Sequence, residues 1–418
     1  MRTQSTRTPE LLAPAGGLAQ LEAALRFGAD AVYLAADRFG LRQRAANFAL
    51  DDVPAAAALV HDAGAKAYVT LNALMDADDL KALPAYLEAL AAAGVDAFIV
   101  SDLGALRLAQ RYAPNVELHV STQASVCNAE AARVWHELGA SRVVCAREMS
   151  VEDIARLRAG APRELELEAF VHGAMCMAVS GRCLISAALT GRSGNKGHCT
   201  QPCRWSYALV EEQRPGEFFP VEEDVRGTYV MNAQDLNMLA HLDDLAAAGI
   251  DSFKIEGRNK KAFYVASVVR AYRLALDGVP SSELADELLA VSHRPYGTGF
   301  YYGDARQSPD VDGYTAECRH AATVEACEPA GEGAFRVIAR CYNRFCEGDE
   351  LEALSPGPHV PLVRVRNLAW LPAPDGDDAQ PKRVPVAVAN RSAERYAFET
   401  GEELAPGDFL RMRINVER

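Results

Sequence analysis

Five times in the chain a glycine separates an alanine- and leucine-rich amphipathic stretch from a short β-branched or aromatic run. The glycines are Gly28, Gly64, Gly94, Gly139 and Gly249, and the runs behind them read ADAVYL, AKAYV, VDAFIV, ASRVV and IDSFK. A glycine suits the left-handed position just past a helix, and such a run suits a buried strand. Helix, glycine and strand in repetition demand a parallel sheet with crossover helices. Three further strand candidates, at 11–15, 117–121 and 165–170, bring the total to eight, centred near 12, 32, 68, 98, 118, 143, 168 and 253. Eight such units predict a (β/α)8 barrel. The alternative is an open doubly wound sheet, but no G-x-G-x-x-G follows the first strand.

Roughly 80 residues separate the seventh and eighth strands, far more than a loop needs. This insertion, about 173–250, holds Cys176, Cys183, Cys199 and Cys203 in the spacing C-x6-C-x15-C-x3-C. Thiolates gathered so densely point to metal. Structural zinc takes its cysteines as closer pairs, whereas iron–sulfur clusters tolerate uneven gaps. An iron–sulfur cluster is therefore favoured, with zinc and ordinary buried cysteines as alternatives. Cys127 and Cys145, near strand ends, read as buried small hydrophobes.

In a barrel of this kind the active site forms where strands end. Those ends carry Asn72, Ser101, Asp102, Ser121, Thr122, Gln123, Arg147, Glu148, Glu168, His172, Glu256 and Arg258, with Arg42 and Arg44 after the second strand. Asp102 and the hydroxyls are adequately explained as helix caps. Arg147, Glu168, His172, Glu256 and Arg258 are the catalytic candidates, since burying such charges without partners is costly.

The first eight residues are polar and read as a loose tail, and 9–300 as the barrel. After a linker at 301–317 the texture changes to short alternating strands with Gly/Pro turns, predicting a small all-β barrel over 318–418. An acidic loop is expected at 375–378. No apolar run reaches membrane-spanning length and no apolar leader opens the chain, so a cytoplasmic protein with reduced thiols is expected. The formal charge of −14 argues against a broad phosphate-binding surface. Nucleic acid would need local patches, and Arg192, Lys196, Arg204, Arg258, Lys260 and Lys261 could supply them. So could Arg364, Arg366, Arg411 and Arg413, which alternate along two strands and could share one face. No H-E-x-x-H or G-x-S-x-G motif argues for a peptidase.

The runs EAFVHGAMC at 168–176, SGRCLIS at 180–186, GHCTQPCRW at 197–205, GTYVMN at 227–232 and KIEGR at 254–258 carry a resemblance. Together they resemble the collagenase-like peptidase family U32, and within it the tRNA hydroxylation proteins. The resemblance implies the same barrel, and a C-terminal β domain such as some members carry. It implies a 4Fe–4S cluster held by Cys176, Cys183 and Cys199, with Cys203 as fourth ligand because 235–238 lacks a cysteine. It further implies hydroxylation of the wobble uridine in a tRNA anticodon loop to 5-hydroxyuridine, with prephenate as co-substrate. That small dicarboxylate would require arginines at the barrel mouth. The family name implies peptidase activity instead. A non-catalytic role beside a homologous subunit, or a homo-oligomer, is the remaining implication.

Overall fold

A computed structural model describes residues 8–41, 47–175, 185–194, 197–202, 205, 208–209, 219–220, 234–303, 305, 314–331, 333–373 and 382–414. By contacts these form two compact units.

The first unit contains the expected barrel. Its strands are β1 (Glu10–Ala15), β2 (Ala31–Leu34), β3 (Lys66–Leu71), β4 (Ala97–Val100), β5 (Glu117–Val120), β6 (Arg142–Val144), β7 (Glu166–Ala174) and β8 (Ser252–Ile255). They pair in sequence order and in parallel, and β8 closes the ring between β7 and β1. Gly28, Gly64, Gly94, Gly139 and Gly249 have φ between 75° and 98°, the left-handed stop their positions predicted. The short strand Asp235–Asn237 extends the sheet by pairing antiparallel with the last residues of β7.

Alternate residues of each strand point inward. On one side they form an apolar cluster of Leu12, Ala31, Tyr33, Tyr68, Ala97 and Ile99. The other side is ionic. Arg142 donates to Glu10 at 2.6 Å, Glu166 at 2.6 Å and Glu168 at 3.1 Å. Lys254 donates to Glu168 at 2.6 Å, and Ser252 and Tyr68 donate to Glu10. Buried charge of this kind persists only when each group has its counter-charge.

The second unit comprises residues 26–28, 266–292 and 315–418. The barrel was expected to run to residue 300, but 266–292 group with the β-rich residues. Of the expected linker, 304 and 306–313 lie outside the described residues, as do 1–7, 42–46 and the acidic loop. The strands are β9 (Cys318–Gly331), β10 (Ala334–Cys341), β11 (Glu350–Leu354), β12 (Leu362–Arg364), β13 (Arg366–Leu371), β14 (Val384–Pro385), β15 (Arg395–Thr400) and β16 (Phe409–Arg413). They form an antiparallel sheet in the order β12-β11-β16-β9-β10-β15-β13-β14 around a core that includes Val324, Val337, Phe345, Tyr396 and Phe398.

The proposed arginine face does not form here. Strand β11 lies between β12 and β16, so the two arginine pairs are not neighbours. Arg411 is buried, with paired bonds to Glu287 at 2.8 Å and another to Glu352 at 2.7 Å. Arg413 is half exposed and also donates to Glu352. Arg364 and Arg366 are exposed. Among the described residues no helix is long and apolar enough to cross a membrane.

Candidate functional site

Strand β7 runs nine residues, so its mouth end is His172-Gly173-Ala174 and not Glu168. Glu168 pairs in register with Ser252 at the start of β8 and is fully buried. Burial alone would raise its pKa, but Lys254 and Arg142 overcome this and hold it below the ordinary carboxylate value. The expected acid/base residue is thus a counter-charge inside the barrel.

At the mouth, Gly173 has φ 105°, and a Cβ there would lie 2.5 Å from the carbonyl oxygen of Glu256. Glu256 in turn donates its N–H to the carbonyl of His172. This close approach brings the ends of β7 and β8 together. His172 is buried with its ring near Tyr264 (6.0 Å) and Tyr296 (5.4 Å), and Tyr296 stacks on His293 at 4.4 Å. Burial, with Lys260 and His293 adding to it, depresses the imidazole pKa to about 3. His172 is therefore neutral at physiological pH.

Arg147 spans the same rim. It donates to the carbonyl of Ala174 at 3.0 Å, lies 3.9 Å from the Glu256 carboxylate and sits 3.9 Å above the Phe170 ring. Arg258 is buried and donates to the carbonyl of Leu41 and to Thr70. Asn72 donates to Ser121, Ser101 donates to the carbonyl of Asn72, and Thr122 donates to the carbonyl of Cys145. Asp102 and Ser121 accept backbone N–H groups as caps. Cys145 is buried, and burial pushes its thiol up to about 12. Cys127, expected in the core, is exposed because it sits in the stretch before a helix that starts at Ala129.

A cavity of about 300 Å³ opens at this rim, lined by Ala174, Gly197, Cys199, Thr200, Gln201, Glu256, Gly257, Asn259, Lys260 and Tyr314. It joins the cysteine-bearing insertion to the end of β8. Cys199 is half-buried, and its sulfur accepts the N–H of Gln201 at 3.3 Å. A backbone N–H directed at sulfur is an outer-shell contact that metal-bound sulfur takes, which fits a ligand of an iron–sulfur group or of zinc. Cys176, Cys183, Cys203, Arg42, Arg44, Lys196 and Arg204 lie outside the described residues. Among the described residues no three His, Cys, Asp or Glu side chains converge on a metal position.

Sequence reasoning did not single out Asn259 or Tyr314, and it took in Thr200 only as part of the run GHCTQPCRW. Asn259 and Lys260 directly follow the KIEGR run, a signal that could have extended the site. Tyr314 falls in the expected linker and has no local signal.

The profile of peptidase family U32 matches residues 16–310. The tRNA hydroxylation protein P1 of Bacillus subtilis (strain 168) is 34% identical over 416 residues, covering 97% of this chain and 95% of that protein. The 23S rRNA 5-hydroxycytidine C2501 synthase of Escherichia coli (strain K12) is 38% identical over 277 residues, covering 66% of this chain and 40% of that protein. The collagenase of Porphyromonas gingivalis (strain ATCC BAA-308 / W83) is 33% identical over 312 residues, covering 70% of this chain and 73% of that protein.

Proposed function

Because the chain belongs to peptidase family U32, we propose that it is an RNA-modifying hydroxylase that makes 5-hydroxyuridine at the wobble position of tRNA. The name of the Bacillus relative, similar over nearly the whole chain, supports this reading. The observation that carries it is the shared cavity, in which Cys199 of the insertion meets Glu256 and Lys260 at the barrel mouth.

Replacing C5–H of uridine by C5–OH is a two-electron oxidation that needs an oxygen-atom donor and an acceptor for two electrons. The chemistry therefore calls for a co-substrate of that class bound near the base, with an electron-carrying group between them. Cys176, Cys183, Cys199 and Cys203 would hold a 4Fe–4S cluster, which supplies one-electron transfer when bound. The chain's own groups then bind and orient. An anticodon-loop base is single-stranded and can enter a rim cavity without duplex opening. Lys260 supplies positive charge to the cavity, and Arg147 supplies it at the adjoining rim, where a carboxylate such as those of prephenate would be met. Glu256, which lines the cavity, would take a proton from a bound base, and neutral His172 accepts the Glu256 backbone N–H through its carbonyl. Peptide hydrolysis finds less support, since no histidine is among the described residues lining the cavity beside Cys199.

The test has two arms. Anaerobically purified protein should carry about four irons and matching sulfide per chain, as a cubane cluster requires. Removing the gene should abolish 5-hydroxyuridine in digests of cellular tRNA. Stoichiometric zinc without iron, or unchanged tRNA nucleosides, would refute the corresponding part.

A further inference from the structure

The cavity has one aromatic wall. Tyr314 lines it and remains 43% exposed, although its neighbours Gly257 and Arg294 are buried. Two cations lie over its ring, the Lys260 ammonium 4.6 Å from the centroid and the Arg294 guanidinium 5.2 Å, so a base would take the part of the ring left exposed. Lys260 also lies 4.9 Å from the Tyr264 ring, so it sits within reach of both aromatics. A partly exposed aromatic ring beside a polar cavity, with fixed positive charge next to it, is the combination that binds single-stranded nucleic acid. The base stacks on the ring while the cations meet the backbone.

We propose that Tyr314 is the stacking platform that positions the RNA base over the cavity, with Lys260 neutralising an adjacent phosphate. This rests on the RNA-modifying reading but concerns a different step, the holding of the base, and assigns it to a residue outside the barrel strands. Stacking is indifferent to base identity, so Tyr314 sets affinity and alignment. Discrimination among bases is left to the polar groups around Glu256.

The experiment uses the full-length, cluster-loaded protein and an anticodon stem-loop with the fluorescent pyrimidine pyrrolocytosine at the wobble position. Stacking on Tyr314 should quench the probe in the wild type. Tyr314→Phe and Tyr314→Trp should retain the quenching, since the ring and not the hydroxyl does the work. Tyr314→Ala and Tyr314→Leu should lose it and bind roughly 5- to 150-fold more weakly, the range that removing one base–aromatic stack gives. Lys260→Gln should reduce the salt dependence of binding by about one phosphate contact while keeping the quenching. Tyr302→Ala, at a somewhat more exposed tyrosine that does not line the cavity, should behave as wild type.

Quenching and affinity unchanged in Tyr314→Ala would overturn the proposal, as would a Tyr314→Phe variant as weak as Tyr314→Ala. The two readings fail separately. Wild-type protein that quenches the probe but never hydroxylates an unlabelled stem-loop would sink the hydroxylase and leave the platform. Hydroxylation that survives Tyr314→Ala at full kcat/KM would do the reverse.

Discussion

Glu168 offers the sharpest test of what the barrel interior is for. Its two oxygens are taken by Lys254 at 2.6 Å and Arg142 at 3.1 Å, and none of the three is more than slightly exposed. Arg142 keeps Glu10 and Glu166 if Glu168 is lost. Lys254 loses the carboxylate that holds it. Removing one partner of a buried pair typically costs about 3–5 kcal/mol, because the other charge stays buried and uncompensated. A whole domain has only about 5–15 kcal/mol to lose. Glu168→Leu should therefore lower the urea midpoint severely, and Lys254→Met should do so to a similar degree. The double variant removes both charges together and should recover much of the loss, giving a coupling of about 2 kcal/mol or more. Urea melts followed by circular dichroism on all four proteins supply the cycle. Additive losses would refute the pairing. A Glu168→Leu protein as stable as wild type but unable to modify RNA would return this carboxylate to the chemistry.

Two further outcomes follow from the burial of charge. His172 has its folded pKa depressed to about 3, against about 6.5 unfolded. Its contribution to stability is complete above pH 6.5 and is lost as pH falls towards 3, about 2–3 kcal/mol of it by pH 4.5. Urea midpoints at pH 7 and 4.5 should thus converge less in wild type than in His172→Phe, and equal pH slopes would remove His172 as the cause. In the second unit, Arg411→Met should destabilise by about 1.5–3 kcal/mol, since Glu287 keeps only Arg270 at 3.3 Å and Glu352 keeps only Arg413. Arg413→Met, half exposed, should cost no more than about 1 kcal/mol. Thermal unfolding of the two variants compares them directly, and equal losses would contradict the burial of Arg411.

The eight barrel strands were legible because hydrophobic runs and helix-ending glycines are local signals that a parallel sheet requires. The position of Glu168 was not. It was read as a strand end although it lies within the alternating run LELEAFV. Strand β7 continues through His172 to Ala174, and the bonds from Lys254 and Arg142 show that Glu168 points into the interior. Arg147, His172 and Glu256 were read as rim residues and are found together there. Arg258 is near in sequence but donates to the Leu41 carbonyl and to Thr70. Tyr314 was invisible, since its place depends on how a segment after the barrel returns to the rim. Arg411 was misread because alternation assigns faces without saying which face meets Glu287.

The closing pairing of β1 with β8 has a consequence during synthesis. Glu10 and Ser252, joined by a hydrogen bond, are separated by 242 positions. At about 5–20 residues per second, a ribosome needs roughly 12–48 s between making the two. Throughout that interval β1 has β2 beside it but lacks β8, its second neighbour, and the acidic and basic groups of the interior lack part of their neutralisation. The whole cysteine-bearing insertion is made before β8, so its thiols emerge while the ring is still open. Insertion of the proposed cluster at that stage would meet a nascent chain whose cavity wall from β8 does not yet exist. Closure of the ring would then be the event that seals the site.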